Sequence, residues 1–177
     1  MKTSKYLSGM LGCLIVLLTN SCQDQQTKEQ LTKFQQAELM KASNIEVAKK
    51  LYNYLDKVNL DSVRVLCSPD VKIYYQSGPP SSFNDIEPLM KLFYKAFPDY
   101  KHGIEDIFAE NDKVVIRIGY SGTLIDTFMD IKPSGQKFAY KGIHIFQLSN
   151  NKVINWWAVE DELGMMTQLG MELKQKK

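Results

Sequence analysis

The sequence predicts an α+β fold, on three observations. Apolar residues recur at helical spacing up to Pro98; strand-like runs separated by short polar turns follow from Tyr100 to Asp161; and helices and strands do not alternate as a parallel sheet would require. With 177 residues and 44% hydrophobic content the chain suits one globular domain, since a domain of about 150 residues buries roughly 70% of its unfolded-chain surface.

The chain opens with Lys2 and Lys5, then a mainly apolar run from Tyr6 to Thr19, then Asn20-Ser21-Cys22. That run is shorter than the roughly 20 residues of a membrane span and has the layout of an export signal. Leu18-Thr19-Asn20-Ser21-Cys22 resembles a bacterial lipobox, with Thr19 in the usual place of Leu. The resemblance implies that residues 1–21 are removed and Cys22 is lipidated, which would hold the protein on the bacterial cell envelope, at the outer membrane or the periplasmic face. Acyl chains contribute about 0.8 kcal/mol per buried CH₂. Residues 22–42, rich in Gln, Lys and Glu with a broken apolar stripe, read as a partly helical tether.

The domain proper, residues 43–177, starts where Ser43 and Glu46 fit a capping box and Ile45, Ala48, Leu51, Tyr52, Leu55 and Val58 follow at helical spacing. A short helix over residues 60–67, stopped by Pro69, and a strand over 71–75 come next. Asn84 with Glu87 opens a third helix, which buries Ile86, Leu89, Met90, Phe93 and Phe97 and ends at Pro98. Residues 100–109 and 113–120 form a hairpin around Glu110-Asn111-Asp112, with Tyr100, His102, Ile104, Asp106 and Phe108 on one face. Residues 123–136 lack a clean period and read as a rim or lid. Residues 138–148 are apolar on both faces and therefore covered on both; the turn Ser149-Asn150-Asn151-Lys152 leads to the last strand, and a short helix carrying Met165, Met166 and Leu169 closes the domain.

Several residues of this C-terminal half fall in a familiar order: Arg117, Gly122-Thr123, Pro133-Ser134-Gly135 with Lys137, Lys152-Val153, Trp157, Asp161 with Gly164, and Gln168-Leu169-Gly170. From about residue 43 to 172 the chain resembles the SnoaL-like polyketide cyclases, also called ester cyclases, of the nuclear transport factor 2-like superfamily. The resemblance implies a cone-shaped barrel: a curved, mostly antiparallel sheet wrapped around N-terminal helices, with a pocket at the open end. It also implies a homodimer paired through the outer sheet face, where Ile143 and Ile145 lie.

Without residues 1–21 the basic count falls by two, to 20 against 20 acidic residues, which offers no clustered cation for nucleic acid. There is no phosphate-binding glycine loop and no HExxH, and two separated histidines give no metal site; no cofactor is expected. Cys67 reads as a small buried hydrophobe.

What remains is acid–base work by a carboxylate among aromatic residues, where burial raises a carboxyl pKa. Asp161, which ends the last strand, is the first candidate and Glu160 the second, with His144 as polarising partner. The resemblance implies that an aspartate of that strand moves a proton in an intramolecular aldol closure. That aspartate corresponds either to Asp161 or to the position after Trp157, which here is Ala158. Alternation puts Trp157 and Asp161 on one face and Ala158 and Glu160 on the other. Asp161 reads equally as the N-cap of the following helix, and Arg117 as its ion-pair partner or that of Asp106. Tyr74, Tyr140, Phe146 and Trp157, with Arg117, are expected to line the pocket. Two functions follow: a cyclase- or isomerase-like catalyst acting on a hydrophobic carbonyl compound, or a non-catalytic binder of a hydrophobic small molecule at the membrane surface.

Overall fold

A computed structural model describes residues 4–75, 78–172 and 174–175, with side chains described from residue 25 onward. The predicted signal segment, residues 1–21, and the lipidation of Cys22 therefore fall outside the described side chains. Among the described residues no helix is long and apolar enough to cross a membrane. The chain divides into two compact units, Met1–Met40 and Lys41–Lys177; the second carries the fold.

Its first element is the end of a long helix, α1 (Ser4–Leu55). No helix start occurs at Ser43, because residues 23–55 contain neither Gly nor Pro and are rich in Gln, Lys, Glu and Ala, so nothing stops the helix there. The Ser43 hydroxyl instead donates to Asn151 Oδ1 over 3.1 Å. Val47, Ala48, Leu51, Tyr52 and Leu55 form the buried face. Val58 leaves the expected stripe and stands exposed with φ 54°, in the turn that reverses the chain. Asn59 then caps α2 (Leu60–Leu66), its Oδ1 accepting from Ser62 N.

Strand β1 (Cys67–Tyr74) begins earlier than expected and contains Pro69. The proline is tolerated because β1 is an edge strand, and Pro69 lies between Cys67 and Lys72, where its pairing with β5 shifts register. Helix α3 (Phe83–Ala96) starts one residue before the expected Asn84. Ser82 is the cap, in a capping box with Asp85, while Asn84 and Glu87 bind Arg64 of α2. Leu89 faces solvent, not the core.

The sheet runs β1-β5-β4-β3-β2, with β2 (Lys101–Glu110), β3 (Lys113–Thr123), β4 (Lys137–Ser149) and β5 (Lys152–Glu160), and α4 (Glu162–Gln168) closes the fold. All pairings are antiparallel except β1 with β5. The sheet is curved but stays open, with β1 and β2 as free edges; the expected barrel is thus an unclosed one. The β4–β5 turn carries φ 51° at Asn150 and 59° at Asn151, the left-handed pair that a two-residue hairpin needs and that Asn tolerates. The 123–136 segment is pinned from within: Leu124 is fully buried, Ile125 N donates to Ala96 O, and Phe128 packs on Phe93 and Phe97.

Two bulges decide which side chains point inward. Between Ile104 and Asp106 the β2–β3 register shifts, so Glu105 is the extra residue. His102 and Ile104 face the core before the bulge and Ile107 after it, while Asp106 and Phe108 turn outward, against the simple alternation. On β5 the register shifts after Val153, so Val153, Trp156 and Ala158 are buried although two residues separate the first two.

Candidate functional site

The inner face of β4 presents Phe138, Tyr140, His144, Phe146 and Leu148 to the core. Opposite them on β5, Trp156 pairs with Phe146, Ala158 with His144, and Glu160 with Gly142. β3 adds Tyr120 beside Tyr140, and α1 brings Tyr52 from the far side of the core. The four elements converge on one imidazole. His144 Nδ1 lies 2.7 Å from the Tyr52 hydroxyl and accepts from Trp156 Nε1 over 3.1 Å. Its Nε2 lies 2.8 Å from Glu160 Oε1 and 2.9 Å from the Tyr120 hydroxyl.

The proton on this ring can be assigned from its partners. An indole N–H only donates, so Nδ1 is an acceptor and Nε2 carries the hydrogen, which it gives to Glu160 Oε1. Glu160 collects further donors: the Tyr120 hydroxyl to Oε1 over 3.2 Å and the Tyr140 hydroxyl to Oε2 over 3.3 Å. The hydroxyl of Tyr140 in turn meets that of Tyr100. Three donors around one carboxylate favour its ionised form.

Burial works to raise the Glu160 carboxyl, but the bonds from His144, Tyr120 and Tyr140 outweigh it and hold it below the ordinary carboxylate range. The expected raised carboxyl is thus absent at Glu160, for want of an apolar surround: its neighbours are aromatic but each brings an N–H or O–H. The tyrosines move the other way. Burial first, and then the charge of Glu160, push Tyr52, Tyr120 and Tyr140 well above the ordinary phenol value. They remain neutral donors at any working pH.

Glu160 sits at the edge of this cluster. Its side chain is 17% exposed, against 3% for His144, so of the two it lies nearer the surface. The arrangement offers a charged proton acceptor oriented by a neutral imidazole and backed by neutral phenols, among Phe138, Phe146 and Trp156.

The other residues singled out from sequence lie elsewhere. Asp161 is the N-cap of α4, its carboxylate accepting from Gly164 N over 2.9 Å at an exposed position outside the cluster. Tyr140 and Phe146 are inward; Tyr74 and Trp157 stack on each other on the outer face, 5.4 Å between centroids. Arg117 is also outward and pairs with Glu105, not with Asp106 or Asp161. The shift after Val153 explains the outward Trp157, since alternation from the turn would have kept 153, 155 and 157 together. Ala158, the alternative position of the family aspartate, faces His144 and carries no acid. Sequence reasoning missed Tyr52, Tyr100, Tyr120 and Trp156 as partners; the one available signal was that Tyr52 is a phenol in an otherwise apolar helical stripe.

Among the described residues no three His, Cys, Asp or Glu side chains gather as a metal site. Cys67 is buried, and burial pushes its thiol up to about 12, leaving it an inert apolar side chain.

The comparisons with known proteins converge on this architecture. Residues 45–169 match the model of the SnoaL-like polyketide cyclases. AclR of Streptomyces galilaeus, a proposed hydroxylase, is 26% identical with TM-score 0.69 over 73% of this chain and 96% of its own. IdmH of Streptomyces antibioticus, a proposed polyketide cyclase, shares 23% identity with TM-score 0.66 over 72% of this chain and 99% of its own. A proposed SnoaL-like polyketide cyclase from Jannaschia shares 20% with TM-score 0.68, covering 76% and 96%. No curated protein matches the chain. A family match across most of the domain, on the curved open sheet that these structures share, identifies this chain as a member of the SnoaL-like polyketide cyclase family.

Proposed function

We propose that the protein is an acid–base catalyst of the cyclase or isomerase type, acting on a small hydrophobic carbonyl compound with Glu160 as the proton acceptor. The observation that carries this reading is the Glu160–His144 contact of 2.8 Å among neutral phenols. An ionised, part-exposed carboxylate can take a proton from carbon next to a carbonyl, and positioned general bases contribute about 10²–10⁴-fold in rate. His144 orients it through Nε2–H, in the polarising role expected of this histidine. Glu160 takes the place that sequence gave first to Asp161, because it is the carboxylate bonded to His144.

A specific observation also favours the binder reading. Each Glu160 oxygen already accepts a hydroxyl or ring N–H, which lowers its appetite for a proton. The two readings part on one experiment. Glu160→Gln keeps the size of the side chain and one of its two acceptor oxygens but cannot take a proton. If the protein is an enzyme, this variant loses turnover by at least about 10²-fold while still binding ligand; unchanged turnover would remove Glu160 from the chemistry. A wild type that binds hydrophobic ketones but turns none over would leave the binder.

The same proposal includes export and anchoring through Cys22, supported by the lipobox-like 18–22 stretch, and a homodimer through the outer sheet face. One register row of that face runs Phe108, Val115, Ile145, Trp157 and Tyr74 across all five strands, apolar throughout. Cys22→Ser should release the protein from membranes.

A further inference from the structure

A second acid–imidazole pair stands close to the first and is not used by it. His102, on the inner face of β2 before the Glu105 bulge, places Nδ1 2.7 Å from Asp56 Oδ1 at the end of α1. The same Asp56 oxygen also accepts the His102 backbone N–H over 3.0 Å. Burial works to raise the Asp56 carboxyl, yet these bonds hold it below its ordinary value, so it is an ionised acceptor and Nδ1 is the donating nitrogen. The ring packs 5.2 Å from Tyr52, 5.0 Å from Tyr100 and 5.5 Å from Tyr120, centroid to centroid. Tyr52 and Tyr120 are the hydroxyls that hold His144, so the two imidazoles flank the same pair of phenols.

The two pairs differ in what they leave free. Both nitrogens of His144 are engaged. His102 has only its Nδ1 bonded among the described residues; its side chain is 6% exposed, and no buried side-chain nitrogen or oxygen lacks a partner. Nε2 is therefore the part of the ring that reaches open space. A carboxylate fixing one nitrogen of an otherwise buried imidazole, with the other nitrogen open, is the arrangement that prepares a histidine for proton transfer.

We propose that His102, held by Asp56, is a second proton carrier of the same site, exchanging its Nε2 proton with an oxygen of the ligand. This rests on the reading of Glu160 as the proton acceptor. As Glu160 takes the proton from the carbon beside the carbonyl, the C–H electron pair becomes the carbon–carbon π bond of the enol and the carbonyl's π pair moves to its oxygen. The Nε2 proton of the His102 imidazolium passes to that oxygen. The neutral ring keeps its Nδ1 hydrogen on Asp56, and the proton on Glu160 returns to His102 through solvent before the next cycle.

The test uses the full chain and 2-tetralone, an aromatic ketone with exchangeable hydrogens beside its carbonyl. Deuterium uptake from D₂O follows proton removal, and ¹⁵N NMR of the histidines follows Nε2. His102→Gln and Asp56→Asn should each slow uptake at least tenfold, and saturating 2-tetralone should shift the His102 Nε2 resonance of the wild type. Asp56→Asn serves as the second variant if His102→Gln fails to fold, and an unchanged circular dichroism spectrum reports an intact fold. If Glu160→Gln abolishes uptake while both His102→Gln and Asp56→Asn leave it within twofold, His102 is not a proton carrier and the Glu160 reading stands. If Glu160→Gln itself leaves uptake unchanged, the underlying reading fails. A His102 resonance indifferent to 2-tetralone overturns the contact between ring and ligand.

Discussion

Gly142 and Glu160 face each other across β4 and β5, and the glycine is what lets the carboxylate lie where it does. A Cβ at Gly142 would stand 2.9 Å from Val159 O, 3.0 Å from Glu160 Cγ and 3.1 Å from Tyr120 Cε2. One of those neighbours is backbone and cannot yield. Gly142→Ala is expected to cost about 1–3 kcal/mol by overpacking and to reduce turnover further by displacing Glu160 from His144. Denaturant midpoints beside turnover numbers check this; a fully stable, fully active variant would mean that the glycine positions nothing.

Trp156 selects the tautomer of His144. Trp156→Phe keeps the ring but removes the N–H donor to Nδ1, so the hydrogen should redistribute between the two ring nitrogens. Direct ¹⁵N observation of His144 should show a single Nε2–H form in the wild type and a mixture in the variant. A single unchanged form would assign the selection to Tyr52 instead.

Acid should weaken the fold in part through the two carboxylates that hold the histidines. Glu160 and Asp56 are both held below their ordinary values of 4.5 and 3.8. A group whose folded-state pKa is lowered contributes stability that is fully present above its unfolded value and is lost as the pH falls through the folded one. Stability should therefore decline from about pH 4.5 downward, and Glu160→Gln should flatten the upper part of that decline. Urea midpoints across this range measure it; identical slopes in variant and wild type would deny Glu160 a coupled proton.

Asp161 gives the contrasting control. As a helix cap it can be replaced by Asn at a cost of a few tenths of a kcal/mol, whereas Asp161→Ala should lose about 1 kcal/mol. Neither change should affect turnover once the protein is folded. A large fall in turnover for the stable Asp161→Asn variant would return the aspartate to the chemistry.

The outer apolar row predicts an assembly that one charge disrupts. Ile145→Lys, in the middle of that row, should shift a dimer to monomer in sedimentation while leaving circular dichroism unchanged. A wild type that sediments as a monomer at every concentration removes the dimer directly.

Much of the fold was legible in the sequence because period and punctuation agree there: the Asn150-Asn151 turn, the hairpin at 110–112, and the helical stripe of Ala48, Leu51, Tyr52 and Leu55. His144, Tyr140 and Phe146 were legible as one face of one strand. The rest of the site was not, because it depends on counting. An extra residue at Glu105 and another after Val153 leave no mark in composition, yet each reverses the faces beyond it. They sent Phe108 and Trp157 outward and brought Glu160 in. The helix start was misplaced at Ser43 for a different reason: a capping pattern acts only where the preceding chain is free to leave the helix, and residues 23–42 are good helix formers.

The shift after Val153 carries a consequence for how this strand can change over time. Shortening β5 by one residue there would rotate every later side chain by half a turn. Val159 would then move to the side of His144, while Trp156 and Glu160 would move out among Ile143 and Ile145. Trp157 would move in with Val159, so that without one altered functional group Glu160 would leave the side of His144, and a single codon's gain or loss could remove the carboxylate from that ring or return it.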